Sequence, residues 1–170
     1  MLNEVAIHRS LPHPNIIRLL DHQTDIVQRK TSLVLEYAND GCLQDKINER
    51  LLDKENIKRI FRDVCQSVYY LHQKNIVHGD IKPENLLMNK DGQVKLCDFG
   101  SASLFGQQRP NSGTLEYLAP ESILGFSQNH KVDSWALGIL LFEMITGAAP
   151  FKGQTKELIV KDMKRTLYFS

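Results

Sequence analysis

The sequence lacks the features that mark secreted, membrane and repeat proteins. It has only three cysteines in 170 residues, Cys42, Cys65 and Cys97, without the spacing of a metal site or a disulfide framework. It has no apolar run long enough to span a bilayer, no signal-peptide pattern, and no repeat or low-complexity linker. These absences indicate reduced thiols in an intracellular protein, either cytoplasmic or nuclear.

An excess of charge of one sign is also missing. The chain has 21 lysines and arginines against 20 aspartates and glutamates, which gives a net charge of +1. This balance does not indicate nucleic acid or an anionic membrane as a partner. With 42% hydrophobic and 24% charged residues, the chain has an ordinary globular composition, and its length is sufficient for one domain with a substantial core.

One stretch concentrates reactive side chains, and it reads His78-Gly79-Asp80-Ile81-Lys82-Pro83-Glu84-Asn85. Pro83 fixes its own backbone and biases Lys82 away from a helix, so a stiff loop is predicted. Asp80 can accept a proton, Lys82 can meet a phosphate oxygen, and Asn85 can offer an oxygen to a metal. These groups suit phosphoryl transfer, because catalysis of that reaction depends mostly on positioning and charge neutralisation.

Two further motifs follow this loop in order, Asp98-Phe99-Gly100 and Ala119-Pro120-Glu121. Together the three motifs resemble the signature set of the eukaryotic protein kinase family. The residue sequence of the first motif is similar to that of the serine/threonine branch. The chain as a whole resembles Aurora-like and calcium/calmodulin-kinase-like enzymes. The resemblance covers almost the whole chain.

The resemblance implies an α+β, protein-kinase-like two-lobed fold with a partial small lobe and a mainly helical large lobe. Residues 1–37 would form the partial small lobe, with a helix, two strands and the start of the hinge. Residues 38–170 would form the large lobe, without its last helices. The glycine-rich loop and strand lysine of the family do not occur, so a chain truncated at both ends is expected, as a fragment, splice form or incomplete gene model.

Hydrophobic patterning gives a first set of secondary-structure predictions. Helices are predicted over residues 1–10, 53–74, 132–146 and 156–165, the second with Asp53 as its N-cap. Strands are predicted over residues 16–20, 33–36, 86–88 and 94–97, the last two joined in a hairpin through Asp91-Gly92. Residues 101–108 are polar and contain glycine, which predicts a mobile loop.

The resemblance also implies the catalytic and cofactor residues. Asp80 would orient the substrate hydroxyl and accept its proton, Lys82 would neutralise charge on the transferring group, and Asn85 would complete the catalytic set. Asn85 and Asp98 would hold Mg²⁺, a hard ion that prefers oxygen ligands. ATP would be bound at Leu35, Glu36, Ala38, Glu84 and Leu87, with the backbone after Leu35 meeting adenine.

Protein substrates are implied by a loop that begins at Thr114, whose side chain would bond the catalytic aspartate and lysine. Glu84, Glu116 and Glu143 match positions that recruit arginine upstream of the acceptor in relatives. Basic protein substrates are therefore expected. Cys42 stands where many relatives carry an acidic residue that contacts ribose.

Structural roles are implied for Glu4, His78, Phe99, Gly100, Glu121 and Asp133. Asp133 would bond the backbone of the His78 loop, and a surface position at a helix start is its alternative. Glu4 would face a lysine that the chain lacks, with a solvated helix face as the alternative. His8 would be a buried neutral histidine.

Regulation by loop phosphorylation is expected to be weak, because Gly79 stands where regulated relatives usually carry arginine. Pro110 occupies roughly the place of the phosphorylated threonine of Aurora-like kinases, and Ser112 is a candidate site. The sequence thus predicts a serine/threonine kinase that uses Mg²⁺ and ATP. The alternative is a catalytically impaired, pseudokinase-like fragment that acts as a protein-binding module.

Overall fold

Helices and short strands alternate along the parts of the chain that the computed structural model describes, residues 2–25, 27–107, 113–125 and 129–167. The helices are α1 (Leu2–Arg9), α2 (Leu43–Asn48), α3 (Lys54–Gln73), α4 (Pro120–Ile123), α5 (Lys131–Thr146) and α6 (Lys156–Leu167). The strands are β1 (Leu19–Asp25), β2 (Lys30–Leu35), β3 (Ile76–Val77), β4 (Leu86–Met88), β5 (Val94–Leu96) and β6 (Ser103–Leu104). Single 3-10 turns lie at Pro83–Asn85, Phe99–Ser101 and Leu115–Tyr117. This mixture confirms the predicted α+β class.

Helix α3 forms because an apolar stripe recurs at three- and four-residue steps and its first turn is capped. The Asp53 side chain accepts a hydrogen bond of 2.7 Å from the Asn56 N–H, as predicted for an N-cap. The stripe is buried, and it includes Ile60, Val64, Val68 and Leu71. The helix predicted over residues 53–74 is therefore confirmed, and its apolar face forms part of the core.

Helix α5 packs against α3 and ends where the sequence predicts. Gly147 adopts φ +83° after the last turn, and its N–H donates to the Glu143 carbonyl at 2.8 Å. Helices α1 and α6 also form over the predicted segments. Two short helices, α2 and α4, were not predicted, because six and four residues are too few to display helical periodicity.

The antiparallel hairpin of β4 and β5 is the element that holds the two candidate metal ligands in place. Leu86 pairs with Leu96 and Met88 with Val94, as predicted from two apolar runs around Asp-Gly. These four side chains are buried in the core. The hairpin leaves residue 85 and residue 98 at its open end, so these two candidate ligands, which are distant in sequence, become neighbours.

The strands predicted over residues 16–20 and 33–36 correspond only in part to strands of the structure. Ile16 and Ile17 are buried beside β5, where the Ile17 N–H donates to the Leu96 carbonyl at 2.9 Å. The strand proper is β1, which pairs with β2 from Leu19 opposite Leu35 to Asp25 opposite Lys30. The strand predicted over residues 33–36 coincides with the end of β2, whereas the strand predicted over residues 16–20 starts too early, because this hairpin is mostly polar and exposed and apolar runs do not mark it.

The segment after Asp98-Phe99-Gly100 is more regular than predicted. Residues 103–104 form β6 and pair with β3, so the mobile loop predicted over 101–108 is wrong for its first half. The pairing is made by backbone groups and leaves no pattern in so short a stretch. Gln108, Pro110 and the candidate phosphorylation site Ser112 lie outside the described residues.

The main core lies where α3, α5 and the β4–β5 hairpin meet, and the largest fully buried side chains include Phe99, Ile60, Leu71, Leu86, Leu96 and Leu140. The loop of residues 78–85 lies beside this core. All three cysteines are free thiols. Within the described part of the chain, no helix has the length and apolar character to cross a membrane. The division into lobes at residues 1–37 and 38–170 stays a prediction.

Candidate active site

The loop of residues 78–85 is anchored to α5 by one buried carboxylate. Asp133 is 1% exposed, and it accepts hydrogen bonds from the N–H groups of His78 at 3.0 Å and Gly79 at 2.9 Å. Its Oδ2 also lies 2.8 Å from Nε2 of His72. This is the contact that the resemblance implies, and the alternative of a surface aspartate is wrong. Asp133 therefore fixes the start of the loop by satisfying otherwise unpaired donors.

His78 is a buried strut between this loop and the β4–β5 hairpin. Its Nδ1 accepts from the Asp80 N–H at 3.3 Å, so Nε2 carries the proton and donates to the Cys97 carbonyl at 3.1 Å. Its ring meets Phe99 edge-on, with centroids 5.2 Å apart. Burial lowers the pKa of His78, although the Asp133 charge opposes this effect. The histidine is thus neutral and oriented.

The next residues bring a carboxylate, an amine and a hydroxyl together. Asp80 Oδ1 accepts from the N–H of Thr114 at 2.8 Å and from its hydroxyl at 2.9 Å. Lys82 Nζ lies 3.1 Å from Asp80 Oδ2 and 2.7 Å from Thr114 Oγ1. These are the bonds that the resemblance implies for Thr114. The segment that begins at residue 113 is therefore tied directly to the loop.

The protonation state of Asp80 follows from these contacts. Burial alone would raise the pKa of the carboxyl group. The hydrogen bonds from Lys82 and Thr114, together with the Lys82 charge, outweigh burial and hold the pKa below its ordinary value. Asp80 is therefore an ionised acceptor at neutral pH.

Asn85 and Asp98 offer oxygen atoms at the end of the hairpin. Asn85 Nδ2 donates to the Asp80 carbonyl at 2.8 Å and to Asp80 Oδ2 at 3.1 Å, which leaves its Oδ1 for another partner. The Cys97 N–H donates to the Asn85 carbonyl at 2.9 Å and so ties the two ligands together. Asp98 is exposed at φ +62°, and its Oδ1 accepts from the Gly100 N–H at 3.1 Å. Such a left-handed aspartate is a strained backbone position of the kind found at functional sites.

This set of oxygen donors fits a metal ion that is held mainly by the phosphates of a bound substrate and only partly by the protein. The described residues contain no cluster of three or more histidine, cysteine, aspartate or glutamate side chains that could hold a metal alone. One carboxylate and one carboxamide oxygen suit Mg²⁺, which is commonly held by one or two protein oxygens plus substrate phosphates. Asn85 and Asp98 thus remain the candidate ligands.

The residues predicted to bind the nucleotide differ in their exposure. Leu35, Ala38 and Leu87 are half-buried, whereas Glu84 is exposed on its 3-10 turn. The Glu36 carboxylate is committed to the Lys95 amine at 2.9 Å and the Arg18 N–H at 3.0 Å. The Glu36 side chain therefore has a structural role, and only the backbone of Glu36 is available to hydrogen-bond a nucleobase.

The acidic residues predicted to recruit arginine have different environments. Glu84 and Glu116 are exposed. Glu143 is only 8% exposed, and its carboxylate accepts a hydrogen bond from the hydroxyl of buried Tyr117. Burial and this bond to Glu143 raise the pKa of Tyr117. Tyr117 therefore covers Glu143, and recruitment of arginine by Glu143 stays a prediction.

The predicted structural residues divide into buried and partly exposed groups. Phe99 is fully buried, and Glu4 and Glu121 are half-buried on α1 and α4. Gly100 lies beside Glu4, since a Cβ built at Gly100 would be 3.9 Å from Glu4 Oε1. His8 is buried as predicted, with Nε2 2.6 Å from the Ile17 carbonyl oxygen.

Two residues of the site were not found from the sequence. Lys95 holds Glu36, and Tyr117 covers Glu143. A single lysine in a strand and a single tyrosine in a loop are common features, and their partners lie far away in the chain. No local signal could have identified either residue.

Comparison with known proteins identifies the family to which this arrangement belongs. The model of the protein kinase domain matches residues 1–169. Serine/threonine-protein kinase AtPK1/AtPK6 of Arabidopsis thaliana is 41% identical over 95% of this chain and 36% of its own length. Aurora kinase B of Mus musculus is 37% identical over 95% of this chain and 48% of its own length. NUAK family SNF1-like kinase 2 of Homo sapiens is 36% identical over 97% of this chain and 27% of its own length.

The chain thus spans from about a quarter to about half the length of these relatives. The family match covers nearly every residue, and the relatives include named serine/threonine kinases and an Aurora kinase. These matches confirm the resemblance drawn from the three motifs. The chain therefore belongs to the protein kinase family, in its serine/threonine branch.

Proposed function

We propose that this chain forms the catalytic part of a protein serine/threonine kinase that transfers the γ-phosphoryl group of Mg²⁺-bound ATP to a protein hydroxyl. The observation that carries the proposal is the bonded set of Asp80, Lys82 and Thr114 around one carboxylate. An ionised carboxylate and a protonated amine in contact are the groups that this reaction needs.

Each residue of the set has a chemical task. Asp80 would orient the acceptor hydroxyl and take its proton late in the reaction, because its depressed pKa keeps the carboxylate ionised and able to accept a hydrogen bond, but makes it a weak base. Lys82 would neutralise charge that develops on the transferring oxygen atoms. Thr114 would hold the side chains of Asp80 and Lys82 in place until a substrate hydroxyl enters between them.

The metal would be held by Asn85 and Asp98. The amide nitrogen of Asn85 is directed to Asp80, so its oxygen is the atom offered to a cation. When bound, the metal would supply positive charge to the phosphate oxygens and orient them for in-line transfer. The hairpin and the Cys97–Asn85 backbone bond would keep the two ligands at a fixed separation.

Adenine would meet the segment after β2. Among the described residues, no backbone hydrogen bond involves the N–H of Ala38 or the carbonyl of Glu36, whereas the Glu36 N–H donates to the Arg18 carbonyl at 2.9 Å. One donor and one acceptor two residues apart suit the edge of a purine. Half-buried Leu35 and Leu87 would contribute apolar contacts.

The protein substrate would carry basic residues near its acceptor. Glu84 and Glu116 are exposed, and acidic side chains attract a basic peptide. Glu143 would contribute only if Tyr117 releases it. The alternative, a catalytically impaired binding module, would not need Asp80, Lys82, Asn85 and Asp98 together, and their joint presence supports the enzyme.

A phosphotransfer assay tests the proposal. The chain is incubated with radiolabelled ATP, Mg²⁺ and a serine peptide with upstream arginines, and Asp80→Asn is compared with Asp91→Asn, a change at an exposed turn. We expect Asp80→Asn to abolish transfer while nucleotide binding persists, and Asp91→Asn to have little effect. Equal transfer by the wild type and Asp80→Asn, or no transfer by a folded wild-type chain, would contradict the proposal.

A further inference from the structure

Positive charge is concentrated near the end of the described chain. Residues 152–165 contain five lysines and arginines against two acidic residues, a net charge of +3, whereas the whole chain has a net charge of +1. The remaining residues are therefore acidic overall. A local positive charge of this kind in a nearly neutral protein indicates a surface that can attract an anionic partner.

Three of these five basic residues, Lys152, Lys161 and Arg165, lie together on one face of α6 and on the loop before it. Leu158, Lys161, Asp162 and Arg165 follow helical spacing on this face, and together with Lys152 and Gly153 they line a depression of about 210 Å³. We call this depression the α6 depression. It is smaller than the pockets of roughly 300 Å³ or more that usually bind small molecules. It therefore fits one or two protein side chains rather than a cofactor.

The walls of the α6 depression are held in place. The Lys152 N–H donates to Asp162 Oδ2 at 3.0 Å, and Asp162 Oδ1 lies 3.2 Å from Arg165 Nη2. The loop touches the helix at Gly153, where an added Cβ would lie 2.8 Å from Leu158 Cβ. Behind the helix, Ile159 is fully buried in the core. Backbone contacts thus hold the loop against α6 at this depression.

The side chains that face solvent set the chemistry of the surface. Asp162 is already paired, so its charge is compensated within the α6 depression. Lys152 and Lys161 are exposed and form no ion pair within the described part of the chain. Leu158 is 48% exposed beside them. Unpaired cations around an accessible apolar side chain complement carboxylates that flank an apolar residue.

We propose that the α6 depression is a docking surface for an acidic segment of a protein partner, which places an apolar side chain on Leu158 and carboxylates on Lys152, Lys161 and Arg165. A nucleic acid or an anionic membrane fits less well. The rest of the chain has a net charge of −2 (+1 for the whole chain minus +3 for residues 152–165), which opposes a long polyanion more than it opposes a short acidic segment. The proposal concerns binding only, so it does not depend on phosphotransfer.

Fluorescence anisotropy with the 170-residue chain tests the proposal. The probe is a short labelled peptide with glutamates on both sides of a leucine, and its glutamine counterpart is the matched control. We expect the glutamate peptide to bind, and Lys161→Glu combined with Arg165→Glu to weaken binding by about tenfold or more at low salt. Lys54→Glu combined with Lys58→Glu makes the same charge change on the exposed start of α3 and should have little effect.

A second variant tests the sign of the electrostatic effect. Asp162→Asn removes the internal carboxylate and should strengthen binding of the glutamate peptide. Equal loss in both double variants, equal binding of the glutamine peptide, or weaker binding by Asp162→Asn would overturn the proposal. Tighter binding of duplex DNA or of phosphatidylserine vesicles than of the peptide would also overturn it, in favour of that polyanion.

Discussion

The hydroxyl of Thr114 lies 2.9 Å from Oδ1 of Asp80 and donates a hydrogen bond to this carboxylate, the proposed catalytic base. The same hydroxyl accepts a hydrogen bond from Lys82 at 2.7 Å. One side chain that follows Asp80 by 34 residues therefore bonds both the proposed base and the lysine beside it. The reactive geometry is shared between two distant segments rather than contained in one motif.

Replacing Thr114 with valine should raise the pKa of Asp80. The hydroxyl bond favours the ionised carboxylate, and its loss leaves the opposing effect of burial less balanced. Carbon-13 NMR titration of labelled aspartate side chains measures the change. Thr114→Ser keeps the hydroxyl and is the control. An unchanged Asp80 pKa in the valine variant would show that Lys82 and the Thr114 N–H depress it without the hydroxyl.

Replacing Asp133 with alanine should destabilise the fold by about 2–5 kcal/mol, because two buried N–H groups lose their acceptor. Those donors are at His78 and Gly79, 3.0 and 2.9 Å from the carboxylate. Urea unfolding gives the free energy of unfolding. Ser134→Ala, at an exposed position next in the helix, should change it by less than about 0.5 kcal/mol. Similar stabilities of the two variants would contradict the anchoring role.

A side chain at Gly79 should lower the stability of the fold. Its φ is +78°, and an added Cβ would lie 3.1 Å from the Ser101 carbonyl oxygen. Gly79→Ala should therefore cost about 1–2 kcal/mol of stability in urea unfolding. Gly138→Ala is the matched control, since it adds a methyl group in open space on helix α5 and should stabilise by about 0.5–1 kcal/mol. Equal effects of the two variants would disprove the strain argument.

Acid should loosen the loop through His78. The folded-state pKa lies below the ordinary value of 6.5, so the neutral form is favoured in the fold. This contribution to stability is present above the unfolded-state pKa and is lost as the pH falls toward the folded-state pKa. Protonation would also place a second donor, Nδ1, against the Asp80 N–H.

Melting temperatures measured between about pH 7.5 and 5 test this role of His78. His78→Gln should melt at a lower temperature than the wild type at neutral pH, but its melting temperature should fall less as the solution is acidified. His130→Gln, at an exposed position, should keep the pH dependence of the wild type. A His78→Gln variant with the wild-type pH dependence would exclude the histidine as its source.

The predictability of the fold depended on how each element is stabilised. The β4–β5 hairpin was predictable because buried apolar runs flank Asp-Gly, and α3 because its stripe and cap lie in one continuous segment. The β1–β2 hairpin was misplaced because backbone pairing holds polar residues there. Helix α2 has six residues and Cys42 at its cap, so neither periodicity nor a strong capping residue marked it.

The site shows the same distinction. Asp80, Lys82, Asn85 and Asp98 lie in short motifs whose spacing the sequence displays directly. The closed environment of Glu143 depends on Tyr117, which lies 26 residues earlier and leaves no local pattern. Contacts between distant segments decide which acidic side chains are exposed to solvent. Such contacts leave no local pattern in a single sequence, so they could not be predicted from it.

The most direct test of the proposed nucleotide and metal site is the melting temperature of the 170-residue chain with ATP, with and without Mg²⁺. A ligand that binds only the folded state, at a concentration well above its Kd, should raise the melting temperature by about 5 °C or more. We predict a rise that requires Mg²⁺, is lost in Asp98→Asn and persists in Asp91→Asn. A cooperative melt that ATP and Mg²⁺ leave unchanged, or an equal rise in Asp98→Asn, would contradict the account.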